Sequence, residues 1–427
     1  MKRSFFGFIK PKLTYEPITD SQPEPVYIQA PQKIRFLLDT PEASDGVPAL
    51  SVGDQVKMGQ RIRADADGGD YALASKAGKV TEIAPFIGMM QAKQTAVTVA
   101  VDAEASQTAD DEFKEKSQNP SLDVARQFLQ ALPGKPDFSP FFNSDRLIKA
   151  IVILGLDRDL LSTTNQFFVK TGIESIKTGI DILRKITGIH NVMLAVPESL
   201  VQVAGASGAG VKTVDSEYPA AHPQLIVRHV MADEIKGGGD AGNADVAFFS
   251  AEAVSAMGAA FNTGQLPMNK LVTLISKSGN KRLVCATIGT PLKDILNRFN
   301  ETIQDGDRIV FGGPMTGVAV YTTEHPIQPD TDTIMIQDRS QIPERQDVAC
   351  INCGECVRVC PVNIPVNILV RLLAADQYEE AVSQAELDAC IECGLCDYVC
   401  EARIPIFQYI TLAKTTLERM KAEESNA

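Results

Sequence analysis

Eight of the nine cysteines in this chain fall in two runs of one form, CxxCxxCxxxC: Cys350, Cys353, Cys356 and Cys360, then Cys390, Cys393, Cys396 and Cys400. No other feature restricts the fold so tightly, because thiolates crowded this closely repel unless a metal lies among them. A CxxCxxC loop can present three thiolates to three corners of a cubane [4Fe–4S] cluster, so the fourth ligand must come from elsewhere. Zinc is usually held by ligand pairs separated by a longer loop, which these runs lack. A disulfide framework suits short secreted chains, whereas a long chain without a secretory signal points to a reducing compartment.

The two runs resemble those of two-cluster ferredoxins, in which the last cysteine of each run ligates the other cluster. That resemblance implies one cluster on Cys350, Cys353, Cys356 and Cys400, and a second on Cys390, Cys393, Cys396 and Cys360. The segments between and after the runs, 364–374, 378–387 and 405–421, read as helices. The cysteine domain, 340–420, is therefore expected to be helical around its clusters.

A chain of 427 residues predicts several domains, and 44% apolar residues suit globular cores. A formal charge of −13 argues against nucleic acid as a partner. No window holds the roughly 20 apolar residues of a membrane-spanning helix, so membrane association is expected to be peripheral, through a partner. The opening MKRSFFGFIKPK is too short in its apolar run for a signal peptide, which places the chain in the cytoplasm. The histidines, His190, His222, His229 and His325, are scattered without ligand spacing.

Residues 1–28 read as an extended arm in which Phe5, Phe6 and Phe8 lie over the chain's own domain or dock on a membrane or partner. Residues 29–103 alternate in short stretches broken by Gly, Pro and Asp, as a small β domain does. VGDQVKMGQRI (52–62) and SKAGKVTEI (75–83) resemble the turns of barrel-sandwich carriers of biotinyl and lipoyl groups. The corresponding hairpin tip, ADADGGD (64–70), lacks the modifiable lysine, so no covalent cofactor is expected.

Residues 104–145 suit a linker or an irregular packing segment. The next unit, 146–265, reads as α/β with a mainly parallel sheet: strands at 147–154, 191–196, 211–214, 225–230 and 244–249, and a helix at 173–187. GASGAG (205–210) follows a helix and precedes a strand, the reverse of a phosphate loop, and reads as a turn. Residues 266–335 give a hairpin, a helix capped by Thr290 with Pro291 at its first position, and a strand ending in FGGPMTG. This order resembles the soluble-ligand-binding β-grasp. Cys285, within an alternating strand, reads as core.

The succession of barrel-sandwich, α/β, β-grasp and two-cluster domains resembles the C subunit of the Rnf ion-translocating ferredoxin:NAD oxidoreductase complex. VGDQVKMGQ, IGTPLKD, FGGPMTG and the cysteine runs carry the resemblance. The cobalamin reductase of propanediol utilisation is similar in the same parts. The resemblance implies an electron-transfer subunit, peripheral on the cytoplasmic face, working with membrane subunits of such a complex and with a protein electron donor or acceptor. The alternatives it leaves are the flavin-dependent NADH dehydrogenase subunit of that complex and a cobalamin reductase-like enzyme.

In both families the α/β domain resembles the flavin- and NADH-binding subunit of respiratory complex I, which implies a GGAGFPT-like loop and an ECEP-like segment. Here the first position reads ALPGKPDF (131–138) and the second LGLDRDL (154–160), with Asp157 and Asp159. Pro133, Pro136 and Pro140 each remove a backbone donor, and Asp137 places negative charge where a phosphate would lie. Flavin mononucleotide is therefore not expected.

Overall fold

The computed structural model describes residues 11–19, 23–39, 50–63, 71–102, 111–143, 146–231, 245–342 and 348–426, with side chains to 421. The hairpin tip at 64–70 and Phe5, Phe6 and Phe8 lie outside the described residues. The chain is a mixed α/β, multidomain protein with several separate sheets.

An N-terminal antiparallel sheet runs in the order Lys33–Asp39, Lys93–Val101, Gly78–Ile87, Gln55–Val56, beside a small ribbon of Arg61–Arg63 and Tyr71–Leu73. Alternate residues of Lys33–Asp39 are buried, and Ile34, Phe36 and Leu38 form its core with Val97 and Val99. This is the period-two pattern of a sheet covered on one face.

A parallel sheet follows in the order Gly210–Thr213, Val192–Val196, Ala150–Leu154, Val246–Ser250. Ala150–Leu154 and Val192–Val196 are buried at every position, as strands covered on both faces must be. One expected strand is a helix instead: 225–230 lies almost wholly within Pro223–His229. His222 Nδ1 accepts from Gln224 N at 3.3 Å and Pro223 sets the first turn, so a local cap decides what the short apolar run LIV leaves ambiguous. Residues 205–210 form the expected turn, with Gly208 left-handed at φ 78°.

Of the two readings for 104–145, irregular packing fits the described residues. Phe128, Leu129, Leu132 and Phe138 are fully buried in the core shared with Ile151, Ile153 and Phe249.

The third sheet is mixed and six-stranded: Val26–Tyr27, Lys281–Thr287, Asn269–Ile275, Thr333–Gln337, Arg308–Phe311, Val318–Val320. The arm therefore contributes an edge strand, with Val26 opposite Val284. The helix is Leu292–Arg298 and its N-cap is Pro291, one residue later than expected. Thr290 is buried and its Oγ1 meets no hydrogen-bond partner among the described residues; its N–H closes a turn onto Thr287 O at 3.0 Å, which pulls it away from the helix start. Cys285 sits mid-strand, opposite Leu271 and Tyr27.

The C-terminal unit is helical: Glu355–Val359, Val366–Ala374, Tyr378–Ala385, Leu395–Tyr398 and Ile406–Asn426 surround Leu369, Val370, Leu373, Ile364 and Ile410. Val359 and Leu395 leave this core to join Leu154, Met193, Tyr15 and Tyr218 of the parallel-sheet unit. That shared apolar seam fixes the cysteine loops against the rest of the molecule.

Candidate metal centre

Both cysteine runs fold alike because both need the same backbone reversals. Asn352 and Glu392 take φ 55° and 53°, and Gly354 and Gly394 take φ 79° and 72°. Each reversal turns an amide onto sulfur: Asn352 N donates to Cys350 Sγ and Glu392 N to Cys390 Sγ, both at 3.4 Å. Left-handed Asn363 and Arg403 then lead through Pro365 and Pro405 into the helices Val366–Ala374 and Ile406–Asn426.

The thiols gather in two groups of four. Cys350, Cys353, Cys356 and Cys400 line one small cavity, walled by Val370, Ile404 and Ile406. Cys360, Cys390, Cys393 and Cys396 line the other, walled by Ile364, Val366 and Ile410. Each cavity thus draws three cysteines from one run and the last from the other. Among the described residues no three His, Cys, Asp or Glu side chains are set to hold a single metal ion. Four thiols spread around an apolar cavity suit a cubane instead, since each iron takes its own thiolate. Burial, then the neighbouring cysteines, push the Cys356 thiol up to about 11 and that of Cys393 to about 12. Thiolate character at these positions depends on a metal cation.

The surroundings of the two cavities differ. The Cys390 cavity is the inner one: Tyr218 Oη donates to Cys393 O at 2.6 Å, and Gly394 lies so close to Met315 that a Cβ there would stand 2.4 Å from the Met315 carbonyl oxygen. Lys414 Nζ donates to Cys390 O at 2.7 Å and to Glu392 Oε1 at 2.8 Å. The Cys350 cavity is the outer one, with Cys353 exposed and Ile351 65% exposed beside it. Its cation, Arg358, donates to Cys353 O at 3.3 Å and pairs with Glu355. No local motif marks Tyr218 or Lys414, and FGGPMTG, which contains Met315, does not by itself point to the cysteines; only folding brings the three to them.

FGGPMTG has a positional role. Asp159 Oδ2 accepts from Met315 N (3.1 Å), Thr316 N (2.8 Å) and Thr316 Oγ1 (2.9 Å). A Cβ on Gly313 would stand 2.2 Å from that carboxylate, so the glycine allows the loop to close over it. Asp157 Oδ1 accepts from Ser162 Oγ and Asn165 N, at 3.0 and 2.9 Å. Burial pushes Asp157 up to about 6. Asp159 is engaged by the protein itself, whereas Asp157 Oδ2 is buried without a hydrogen-bond partner among the described residues.

In a sheet of this order a ligand crevice opens beyond the carboxyl ends of the strands where the order reverses, here Ala150–Leu154 and Val246–Ser250. Protein groups crowd the helix start there, although Ala131, Lys135, Pro136 and Asp137 of the neighbouring loop line a cavity of about 430 Å³. The helix Ala251–Thr263 begins there, with Ala253 N donating to Ser250 Oγ at 3.1 Å and Glu252 N to Asn165 Oδ1 at 3.2 Å. Gly134, at φ 80°, presses so closely that a Cβ would stand 2.6 Å from Ala253 N. Below it, fully buried Lys270 pairs with Glu252 and with Asp332, the latter at 2.8 Å. Against the burial that would lower it, Asp332 and Glu252 hold the Lys270 ammonium charged.

The cysteine loops and their cavities suit iron–sulfur clusters, and the 4Fe-4S dicluster domain family matches residues 349–404. Over most of its length the chain is similar to the C subunits of ion-translocating oxidoreductase complexes. It is 26% identical over 387 residues to the C subunit of the proton-translocating ferredoxin:NAD(+) oxidoreductase complex of Clostridium ljungdahlii, covering 86% of this chain and 84% of that protein. The C subunit of the ion-translocating oxidoreductase complex of Methanosarcina acetivorans is 24% identical, over 75% of this chain and 78% of that protein. Its counterpart in Klebsiella pneumoniae is 24% identical over 94% of this chain, which spans 55% of that longer protein. Among solved structures, an NAD+-reducing [NiFe]-hydrogenase in the H2-reduced state aligns with a TM-score of 0.46 and 13% identity, over 71% of this chain and 64% of that one.

Proposed function

We propose that this chain is an electron-transfer subunit of a membrane-bound, Rnf-like ion-translocating oxidoreductase complex, carrying single electrons through two [4Fe–4S] clusters. The observation that carries this reading is the gathering of the eight thiols, four and four, around two adjoining cavities. Cys350, Cys353, Cys356 and Cys400 hold the outer cluster, and Cys360, Cys390, Cys393 and Cys396 the inner one. A bound cluster supplies a one-electron couple. The chain's own residues set that couple by ligation, by burial and by hydrogen bonds to sulfur and to the ligand loops.

The N-terminal sheet and the mixed sheet serve in this reading as barrel-sandwich and β-grasp domains that dock the chain on its partners. Those partners are membrane subunits at the cytoplasmic face and a protein electron donor or acceptor. Among the described residues no helix is long and apolar enough to cross a membrane, which suits peripheral attachment. Flavin mononucleotide has no part in the reading, and the capped, covered start of the helix Ala251–Thr263 supports leaving it out.

Anaerobically reconstituted chain is expected to hold about eight irons and eight sulfides and to be reduced reversibly by one electron per cluster. A content of about one metal ion per four cysteines, as zinc gives, contradicts the reading. Stoichiometric flavin in the purified chain, or reduction of the clusters by NADH alone, replaces it with a dehydrogenase.

A further inference from the structure

A cavity of about 720 Å³ forms a groove between the mixed sheet and the cysteine domain that none of the roles above uses. Its floor is apolar: Met315, Met335, Val310 and Phe407 are buried there. On one side stand the glycine turn of FGGPMTG and the edge strand Val318–Val320; on the other is Cys400, which also lines the outer thiol cavity. Two arginines, Arg308 and Arg403, line the groove. Arg403 is exposed and Arg308 half-buried, and neither side chain has a hydrogen-bond or ion-pair partner among the described residues. One carboxylate, Asp397, shares the wall, and its Oδ1 accepts from Phe407 N at 3.4 Å.

Among the described residues, two guanidinium groups against one carboxylate leave this wall positive in a chain whose formal charge is −13. Guanidinium is the side chain best suited to sulfonate, carboxylate or phosphate, and it also stacks on flat rings. Methionine sulfur and aromatic walls favour a planar aromatic body. A volume of this size falls in the range of small-molecule sites.

We propose that the groove is a binding site for a small, planar, anionic aromatic molecule, whose charged group is met by Arg308 and Arg403 and whose ring lies on Met315, Met335 and Phe407. Such a ligand rests against Cys400, so its seat adjoins the outer thiol site. The binding itself goes beyond the electron-transfer reading and does not require it.

The test is equilibrium binding to the full, cluster-reconstituted chain, with iron and sulfide counted separately so that failure of the clusters is told apart from failure of the groove. The probes are anthraquinone-2-sulfonate and its uncharged counterpart 2-methylanthraquinone. One sulfonate per chain is expected, bound at least about tenfold more tightly than the uncharged ring. Arg308→Gln and Arg403→Gln should each weaken the sulfonate by about tenfold or more and leave 2-methylanthraquinone unchanged. Ala319→Trp, an exposed position on the groove's edge strand, should block both probes while the iron content stays intact. Absence of binding to the unsubstituted chain, as when a protein partner or another part of this chain covers the groove, overturns the proposal. So does sulfonate binding that none of the three substitutions alters, or equal affinity for the two probes.

Discussion

The two halves of the cysteine domain share one backbone plan and differ in what lies against it. Paired positions reverse the chain alike at Asn352 and Glu392, Gly354 and Gly394, and Asn363 and Arg403. Yet the loop of Cys390 to Cys396 is roofed by Tyr218 and Met315 from two other units, while that of Cys350 to Cys356 leaves Cys353 exposed. The difference teaches that a repeated ligand loop sets the metal chemistry, and the neighbouring domains set access and potential. The inner site is thus shielded by the sheets, and the outer one lies open at the surface.

The largest consequence concerns access. A bulky iron chelator added to the oxidised, reconstituted chain should strip the outer cluster first, releasing about half of the iron in a fast phase before the remainder follows. Release in a single phase removes the contrast between the sites.

A smaller effect separates the paired glycines. Gly354→Ala introduces a left-handed alanine whose Cβ meets only the Arg358 guanidinium, at 3.4 Å, and should cost about 1 kcal/mol. Gly394→Ala adds a collision with the Met315 carbonyl at 2.4 Å and should cost about 3 kcal/mol in all. Thermal loss of cluster absorbance compares the two, and equal shifts in midpoint contradict the roofed inner site.

The smallest effect is electrostatic. Removing the cation at Lys414, which touches the Cys390 carbonyl, disfavours the reduced, more negative cluster, so Lys414→Met should lower the inner potential. Because Glu392 and solvent already screen that charge, the shift should be on the order of tens of millivolts. A potentiometric titration followed by electron paramagnetic resonance should show the outer signal unmoved. An outer shift as large as the inner one argues that Lys414 acts through the fold as a whole.

Much of this was legible in the sequence. The helix at Ile173–Thr187, the hairpin of Asn269–Ile275 and Lys281–Thr287, and the helices beside the cysteines follow from local periodicity and turn residues. The run LIV at 225–227 misleads because a short apolar stretch has no period of its own, and its cap at His222 decides its form. The burial of Phe138 depends on Phe249, and the bond from Tyr218 to Cys393 spans 175 residues. Such contacts arise only from tertiary packing. Asp159 was legible as a carboxylate beyond a strand, but its partners Met315 and Thr316 belong to a different unit.

The claim that joins the two halves into one unit is the crossing of the last cysteines, and one pair of variants tests it most directly. Cys360→Ala and Cys400→Ala are prepared in the reconstituted chain, and chelator access and electron paramagnetic resonance report which cluster survives. Cys360→Ala should damage the inner cluster of Cys390, Cys393 and Cys396 and keep the easily chelated outer one. Cys400→Ala should do the reverse. Loss of the outer cluster in Cys360→Ala, with the shielded inner cluster intact, would contradict the account.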